Sequence, residues 1–315
     1  MLALILRRVL IAIPTMLLVM LFVFALQHAL PGDPFLVIAG EERDPEVIAH
    51  LRAAYRLDDP IPVQFFAWLW QVLQGDFGRS LRTGEPVAQL ILQKLPVTIQ
   101  LAAASMLIAM IIGIPAGIIA AVKRDTMVDY TASAVALSGL SIPTFWLGIV
   151  MILVFAVELK WLPASGYVSI FEDPLGALET LAMPAFVLGN ALAAFIMRHT
   201  RSAMLEVLRS DYIRTARAKG LTEWNVITTH ALSNALVPVI TLSTILFGEL
   251  LAGAVLTEQV FTIPGFGKLI VDAVFNRDYG VVQGVVMCTA IGFIGLNLIA
   301  DILYVVVNPK LRSGA

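Results

Sequence analysis

Long apolar runs separated by short polar connections dominate the sequence. A helix needs about 20 apolar residues to cross a hydrocarbon core of about 30 Å, because each residue advances about 1.5 Å along the axis. Lipid offers the backbone no hydrogen-bonding partner, so a run of this length predicts a membrane-spanning helix. Six runs meet this condition, at residues 9–29, 98–122, 130–157, 180–197, 234–257 and 280–307.

The first run follows Arg7 and Arg8, as the apolar part of a signal peptide would. Its apolar stretch is longer than the roughly 7 to 15 residues found in such peptides. We therefore predict that it is a retained first span.

The Lys and Arg residues of the short connections predict the orientation of the chain. Basic residues concentrate on the cytoplasmic side of a membrane. On this basis both termini are predicted to be cytoplasmic, and residues 31–97 are predicted to lie outside. Long segments such as 31–97 are exempt from this count, and the short connections assigned to the outside hold only Lys160, Lys268 and Arg277. The cytoplasmic set contains Arg7, Arg8, Lys123, Arg124, Arg198, Arg201, Arg209, Arg214, Arg217, Lys219, Lys310 and Arg312.

The outer segment is too long for a simple connection. Val47, Ile48, Leu51, Ala54 and Tyr55 recur at helical spacing and predict a small helical cap. The following "VQFFAWLWQVLQG" is apolar and carries two tryptophans, but it is too short to cross a membrane. We expect this stretch to lie at the boundary between water and lipid, where tryptophan is enriched.

Composition supports a membrane protein. The chain is 59% hydrophobic and 14% charged, with a mean hydropathy of +0.87, whereas soluble domains are about 45 to 50% apolar and about 25% charged. The net charge of -2 and the absence of charge runs give no indication of nucleic-acid binding. One cysteine excludes an internal disulfide framework, and no His or Cys pair has metal-ligand spacing. A structural metal is therefore not expected.

The predicted fold is an all-α polytopic membrane protein. Its parts are a first transmembrane helix (1–30), an outer helical segment (31–97), a core domain (98–308) and a cytoplasmic tail (309–315). The core is predicted to hold five transmembrane helices and a cytoplasmic loop, residues 198–233.

That loop is long and basic, and it contains signals for a short helix. Ser210 can cap a helix that begins at Asp211. Gly220 supplies the left-handed residue that ends a helix. Lys219 falls in the last turn, where the helix dipole favours a cation. We therefore predict a short helix from Asp211 to Lys219.

A helix of about two to three turns is marginal in water, so it must pack against neighbouring helix ends or against a separate protein. Its exposed face is then a landing surface for a partner. The alternative is an ordinary basic loop, which retention of positive charge in the cytoplasm would produce by itself. Thr222 is predicted to cap the helix that continues into the fifth run.

The loop resembles the signature region of binding-protein-dependent ABC importer permeases, in which EAA is followed by glycine and then by IxLP. Aligned on Gly220, the EAA positions hold Arg214, Thr215 and Ala216, and the IxLP positions hold "HALS", which ends at Ser233. This match to the general pattern is poor. The variant found in dipeptide, oligopeptide and glutathione permeases is much more similar to "DYIRTARAKGL" and "HALSNALVPV".

Other fragments resemble the same subfamily along nearly the whole chain. They occur in the expected order at the expected spacings, and together they identify the chain as a member of this family. The fragments are "LRRVLIAIPT", "LPGDP", "GDFGRSL", "SIPTFWLG", "WLPASGY", "VFTIPGFGKLIVDAVFNRDYGVVQG" and "NLIADILYVVVNPKLR".

The resemblance implies a division of labour at the bacterial inner membrane. This chain and a second homologous permease would form a heterodimeric pathway for di- or oligopeptides or glutathione-like solutes. Two cytoplasmic ATPase subunits would bind beneath, and a soluble binding protein would deliver substrate. The chain lacks the GxxxxGK[ST] phosphate loop. It is therefore expected to be non-catalytic and to bind no cofactor, with ATP and Mg used by the ATPase subunits.

The short helix would then be the coupling helix, seated in a groove of an ATPase subunit. The expected contact residues are Tyr212, Arg214, Thr215, Ala216, Arg217, Ala218, Lys219 and Gly220.

Three polar residues within the apolar runs are candidates for a functional role. Glu249 is in the fifth run, where an ionised side chain is costly unless it faces water or a partner. It either faces the pathway and meets a cationic group of the substrate, or it lies neutral or hydrogen-bonded at the interface with the second permease. Asn297 and Asp301 are four residues apart and share a helix face. Hydrogen bonding within the structure is the favoured role for this pair, and gating is the alternative.

Glycine and proline interrupt several runs, as in "GIPAG" and "SGLSIP", which favours close helix packing and kinks, with gating as the alternative. On the outside, "FTIPGFG" combines turn residues with phenylalanines that we expect to be exposed. This motif is a candidate for the outer gate or for contact with the binding protein. Its candidate residues are Phe261, Pro264, Gly265, Phe266 and Gly267.

A proton-coupled secondary carrier is the main rival function, with Glu249 and Asp301 as its relay, although such a carrier would need no coupling helix. An intramembrane enzyme is a third class. The sequence has no HExxH or GxSxG motif to support it.

Overall fold

The computed structural model describes residues 2–29 and 58–307, which are almost entirely helical. The predicted cap around 47–55 lies outside these residues. The helices are α1 (Leu2–Ala29), α2 (Ile61–Leu73), α3 (Val87–Val122), α4 (Met127–Ser141), α5 (Thr144–Met151), α6 (Pro174–Leu208), α7 (Asp211–Ala218), α8 (Leu232–Gly253), α9 (Val255–Val260), α10 (Phe266–Phe275) and α11 (Tyr279–Val307). A π-helical segment, Ile152–Glu158, continues α5, and another, Val226–Ala231, leads into α8 after the single turn Glu223–Asn225.

Within the described residues, four helices are long and apolar enough to cross a membrane: α3, α6, α8 with its preceding turns, and α11. The pair formed by α4 and α5 with its π-helical extension makes a fifth, if the two pieces count as one span. α1 covers the predicted first run. The total of six spans stays a prediction.

The third predicted span is not one continuous helix. α4 and α5 meet at an angle of 93°. Pro143 precedes the first residue of α5, and Ile142 before it is extended, with φ -86° and ψ 122°. Proline disfavours helical geometry in the residue that precedes it in the chain. The predicted run 130–157 is therefore two helical pieces, and the break falls inside the "SGLSIP" motif, whose glycine and proline were expected to favour a kink.

α3 and α6 pack closely along much of their length, because glycines let their backbones approach. A Cβ atom at Gly113 would lie 2.7 Å from the Ala193 carbonyl oxygen, and one at Gly117 would lie 2.6 Å from the Thr200 Cβ. From α6, Gly189 makes a similar approach to α3. These distances show packing to be the role of the "GIPAG" glycines, as close-approach motifs in membranes use small residues.

The amphipathic helix α2 packs on α1. The rings of Phe65 and Trp68 lie 5.4 and 5.9 Å from the ring of Phe24. Val72 on α2 and Met20 on α1 belong to the same buried cluster. The apolar stretch with two tryptophans is thus a helix that packs on α1, and its place at the boundary with lipid stays a prediction.

Two distant fragments of the subfamily pattern, "GDFGRSL" and "NRDYGVVQG", meet at the start of α11. The Ser80 hydroxyl donates to the Asp278 carboxylate, and the Leu81 N–H donates to the same group at 3.1 Å. Gly284 approaches α3 so closely that a Cβ would lie 2.5 Å from the Val87 side chain. This contact attaches the loop before α3 to α11.

Candidate functional site

The predicted short helix is present as α7, which spans eight residues, Asp211–Ala218. It ends in a left-handed glycine, since Gly220 has φ +79°. The Gly220 N–H donates to the Arg217 carbonyl at 2.9 Å, and the Leu221 N–H donates to the Ala216 carbonyl at 3.4 Å. These two bonds form the Schellman motif that commonly closes a helix.

The residues that flank α7 only partly follow the predicted capping. Ser210 occupies the N-cap position, but its hydroxyl donates backwards to the Val207 carbonyl at 2.6 Å. Thr222 caps the next turn as predicted, by accepting a long bond of 3.5 Å from the Asn225 N–H.

One face of α7 is buried in a hydrophobic cluster of the chain itself. Ile213 is fully buried, and Ala216, one turn further, is 7% exposed. Both belong to a cluster with Ala121 at the end of α3 and Met204 near the end of α6. Ala216 was expected among the contacts to a partner, and its burial corrects that expectation. Its small side chain lets α7 lie against α3 and α6.

The other predicted contact residues are exposed on the opposite face, and they are Tyr212, Arg214, Thr215, Arg217, Ala218, Lys219 and Gly220. Arg217 makes two hydrogen bonds to Glu223, at 2.8 and 3.2 Å, across the Gly220 turn. Arg214 pairs with Asp211 at 3.3 Å. Exposed pairs of this kind contribute about 0 to 1 kcal/mol, so a partner can exchange them at little cost.

Trp224 is a residue of this surface that the sequence analysis did not single out. Its side chain is 74% exposed, and Leu221 beside it is 37% exposed. The sequence signal that could have identified it is a large aromatic side chain within a polar connection. Tryptophan is enriched among the residues that dominate protein interfaces. The surface formed by α7 and Trp224, hereafter the α7 surface, therefore combines cations with one large apolar side chain.

A partly buried ion pair braces the helix that leads into α7. Arg201 on α6 binds Asp129 on α4 through two hydrogen bonds of 2.7 Å each. Asp129 is almost fully buried and also accepts the Asp125 N–H at 3.1 Å, whereas the Arg201 side chain is partly exposed. The planar guanidinium matches a carboxylate in this two-pronged geometry, so the bond fixes direction as well as distance. It ties α4 to the C-terminal part of α6.

The outer motif "FTIPGFG" is packed inside the protein. Phe261, Gly265, Phe266 and Gly267 are buried, and Pro264 is half-buried. The expectation of exposed phenylalanines was wrong, because both rings enter hydrophobic clusters. The role of this motif in the outer gate or in contact with the binding protein stays a prediction.

Glu258, which the sequence analysis did not single out, lies beneath this motif. It is fully buried and accepts hydrogen bonds from the Thr98 hydroxyl at 2.6 Å and the Lys268 N–H at 2.8 Å. Burial raises the pKa of the Glu258 carboxyl, and the bonds from Thr98, Lys268 and Gly267 lower it by a smaller amount.

The intramembrane polar residues do not converge on one described site. Glu249 is exposed near the outer end of α8, and the adjacent Leu250 is buried. Asn297 on α11 is half-buried. The side chain of Asp301 is outside the described part of the chain. Nowhere in residues 2–29 and 58–307 do three His, Cys, Asp or Glu side chains come together as a metal site would require.

Comparison with known proteins identifies the family. The profile described as "Binding-protein-dependent transport system inner membrane component" matches residues 113–313. The profile of the N-terminal region of such membrane components matches residues 1–102.

Relatives match over nearly their whole length. A putative peptide transport system permease protein of Brucella abortus is 45% identical over 310 residues, which cover 98% of this chain and 99% of the relative. The dipeptide transport system permease protein DppB of Escherichia coli K12 is 43% identical, and 99% of each chain is covered. The di/tripeptide transport system permease protein DppB of Pseudomonas aeruginosa is also 43% identical, with the same coverage.

A solved structure has a similar fold. An inward-facing structure of the MetNI methionine ABC transporter matches 70% of this chain and 97% of its own chain, with a TM-score of 0.57 and 21% identity. This likeness concerns the fold alone. The family profiles and the relatives show that this chain belongs to the family of multi-pass inner membrane components of binding-protein-dependent ABC transport systems.

Proposed function

We propose that this chain is one of two homologous permease subunits of an ABC importer that carries di- or oligopeptides or a glutathione-like solute. The proposal rests on relatives named as peptide and dipeptide permeases that are 43 to 45% identical over the whole chain. The second permease completes the pathway, and a soluble binding protein delivers the substrate from outside.

The face of α8 that carries Glu249 is proposed to contact the second permease or to line the pathway. An ionised carboxylate that faces lipid is costly, by up to about 2.5 to 3.5 kcal/mol at the middle of a spanning helix, and Glu249 lies toward the outer end of α8. Glu249 is exposed on this chain alone, whereas Leu246 and Leu250 turn inward. A partner or water must therefore cover Glu249 in the assembled transporter.

The α7 surface is the proposed binding site for the ATPase subunit. The observation that carries this proposal is that one face of α7 is buried and the other is exposed. Ile213 and Ala216 fix α7 to the ends of α3 and α6. The opposite face, with Arg214 and Lys219, is exposed. A helix held firmly on one side and open on the other can transmit a push from a partner. ATP binding would close the two ATPase subunits and move α7, and the spans would switch between two rigid packings.

Transport by the whole complex tests this function. Proteoliposomes that contain this chain, the second permease and both ATPase subunits are expected to accumulate a radiolabelled dipeptide. Accumulation should require internal Mg-ATP and the external binding protein, because the permease has no phosphate loop of its own. A non-hydrolysable ATP analogue is the control. Ion-driven uptake by this chain without ATPase subunits would instead favour a secondary carrier.

Replacing Trp224 with alanine is expected to weaken binding of the ATPase subunits by about tenfold or more, since exposed tryptophans that become buried often contribute at least about 2 kcal/mol to an interface. The side chain is 74% exposed, so its removal should leave the permease folded. Binding can be measured by titrating detergent-solubilised permease with labelled ATPase subunits.

Trp70 provides the matched control for this experiment. It is 64% exposed on α2, on the opposite side of the membrane by the predicted orientation. Trp70→Ala should bind the ATPase subunits like the wild type. Equal affinity of Trp224→Ala and wild type would remove Trp224 from the docking surface.

A further inference from the structure

The outer helix α10 depends on other elements for the hydrogen bonds of its first turn. Its N-cap residue is Gly265, which has no side chain to accept the free N–H groups. The Phe266 N–H donates instead to the Thr98 hydroxyl of α3 at 2.7 Å. The Lys268 N–H donates to the Glu258 carboxylate of α9 at 2.8 Å. α10 is therefore capped by two residues from two different helices.

Thr98 and Glu258 are themselves bonded. The Thr98 hydroxyl donates to Glu258 Oε1 at 2.6 Å, while Oε2 accepts the Lys268 N–H. Both side chains are fully buried. Thr98 thus donates to α9 and accepts from α10 with one hydroxyl group. A buried charge-assisted bond of this type is directional and is costly to leave unmade.

The packing around the carboxylate makes α9 and α10 one body. A Cβ at Gly265 would lie 2.4 Å from the Glu258 carboxyl group, and a Cβ at Gly267 would lie 2.7 Å from Val255 Cα. The Ile263 N–H also donates to the Glu258 carbonyl at 2.8 Å. The glycines of "FTIPGFG" therefore serve close packing on α9. We call α9, α10 and the turn between them the outer unit.

α3 connects the outer unit with the α7 surface. Thr98 lies about three turns inside its outer end, which is Val87, and Ala121, in the cluster that holds Ile213, lies at its cytoplasmic end. The helix advances about 35 Å from Thr98 to Ala121. Pro115 removes one helical hydrogen bond from α3. The flanking Gly113 and Gly117 pack directly on α6, which supports the helix at that point.

We propose that the Thr98–Glu258 bond is the joint through which α3 moves the outer unit when the α7 surface is displaced. The inference rests on the proposed coupling function and adds a positioning role for two residues far from that surface. Physical contacts are continuous from α7 through α3 to α10. The joint makes the outer unit follow α3, so that the outer side of the transporter responds to events on the cytoplasmic side.

Thr98→Val tests the joint, because valine keeps the branched shape and removes only the hydroxyl group. Glu258 can still cap α10 through Lys268, so the variant keeps part of the local structure. The readout is peptide uptake per ATP hydrolysed in proteoliposomes. We expect basal ATPase activity to persist and uptake per ATP to fall about tenfold, within the usual range of coupling effects. Thr98→Ser, which keeps the hydroxyl group, should restore the wild-type ratio.

A second experiment measures a distance between spin labels and leaves Thr98 and Glu258 unchanged. Spin labels at Leu92→Cys on α3 and Phe275→Cys at the end of α10, both exposed positions, can be placed in a Cys288→Ala background. The distance between the labels should stay constant between nucleotide-free and ATP-bound complexes. A nucleotide-dependent change in this distance would show that α3 and the outer unit move independently, which would overturn the inference.

The outcomes separate the two proposals. If the wild-type complex shows no ATP-driven uptake, the proposed function fails and the inference fails with it. If the wild type transports and Thr98→Val transports equally well per ATP, only the joint is refuted.

Discussion

Gly220→Val is expected to lower ATP-driven uptake by about tenfold or more, because a tenfold effect needs only about 1.4 kcal/mol of strain. Gly220 has φ +79°. A left-handed conformation costs an ordinary L-residue about 1 to 2 kcal/mol, and a β-branched one is a still stronger outlier. The strain can relax only if the end of α7 shifts, which moves Lys219 and Leu221 together. ATPase stimulation by substrate-loaded binding protein and peptide uptake are the two measurements.

The surroundings of Gly220 make this a clean test of backbone geometry. A Cβ there would meet no other atom within 4 Å in the described part of the chain. Gly220→Asn is the matched control, since asparagine tolerates the left-handed region and adds a side chain in open space. This variant should keep most of the uptake. Substrate-stimulated ATPase and normal uptake by Gly220→Val would contradict the role assigned to the α7 surface.

Gly113→Ala and Gly117→Ala are each expected to lower the Tm of the purified complex by roughly 5 °C or more, which corresponds to about 1 to 3 kcal/mol of overpacking. The added methyl group at Gly113 would lie 2.7 Å from a backbone oxygen, and at Gly117 it would lie 2.6 Å from the Thr200 Cβ. Neither contact can be relieved by rotating a side-chain end, so α3 and α6 must separate. Thermal unfolding in detergent measures the effect.

Gly292→Ala gives the opposite expectation. Gly292 lies inside α11, and a Cβ there meets no atom of the described residues within 4 Å. Alanine is a better helix former than glycine by about 1 kcal/mol. The variant should therefore match or exceed the wild-type Tm. A similar loss of stability in all three variants would show that the close approach of α3 and α6 is not the cause.

The features that the sequence predicted well are those set by local signals. The bounds of α7 followed from Ser210 and Asp211 at its start and from Lys219 and Gly220 at its end, because helix termination depends on a few consecutive residues. The apolar runs were likewise sufficient to locate α3, α6, α8 and α11, since length and hydropathy determine whether a helix can span. The resemblance of "DYIRTARAKGL" added the functional meaning that capping alone does not provide.

The features that the sequence did not predict depend on contacts between distant segments. Phe261 and Phe266 were expected to be exposed because their motif is rich in turn residues, but tertiary packing buries both rings. Glu258 was overlooked because its partners, Thr98 and Lys268, lie 160 and 10 residues away. Ala216 is buried for a similar reason, since only the folded chain brings α7 against Met204.

The sharp bend between α4 and α5 indicates which sides of the subunit lipid can occupy. The last four carbonyl groups of an α-helix receive no hydrogen bond from an N–H group of that helix, and hydrocarbon offers them no donor. The bend at Pro143 places such groups within an otherwise apolar stretch. Acyl chains are therefore excluded from this region in the assembled transporter, and protein or water must lie beside it. The bend is a built-in marker of the boundary between the lipid-facing and the hydrated surfaces of the subunit.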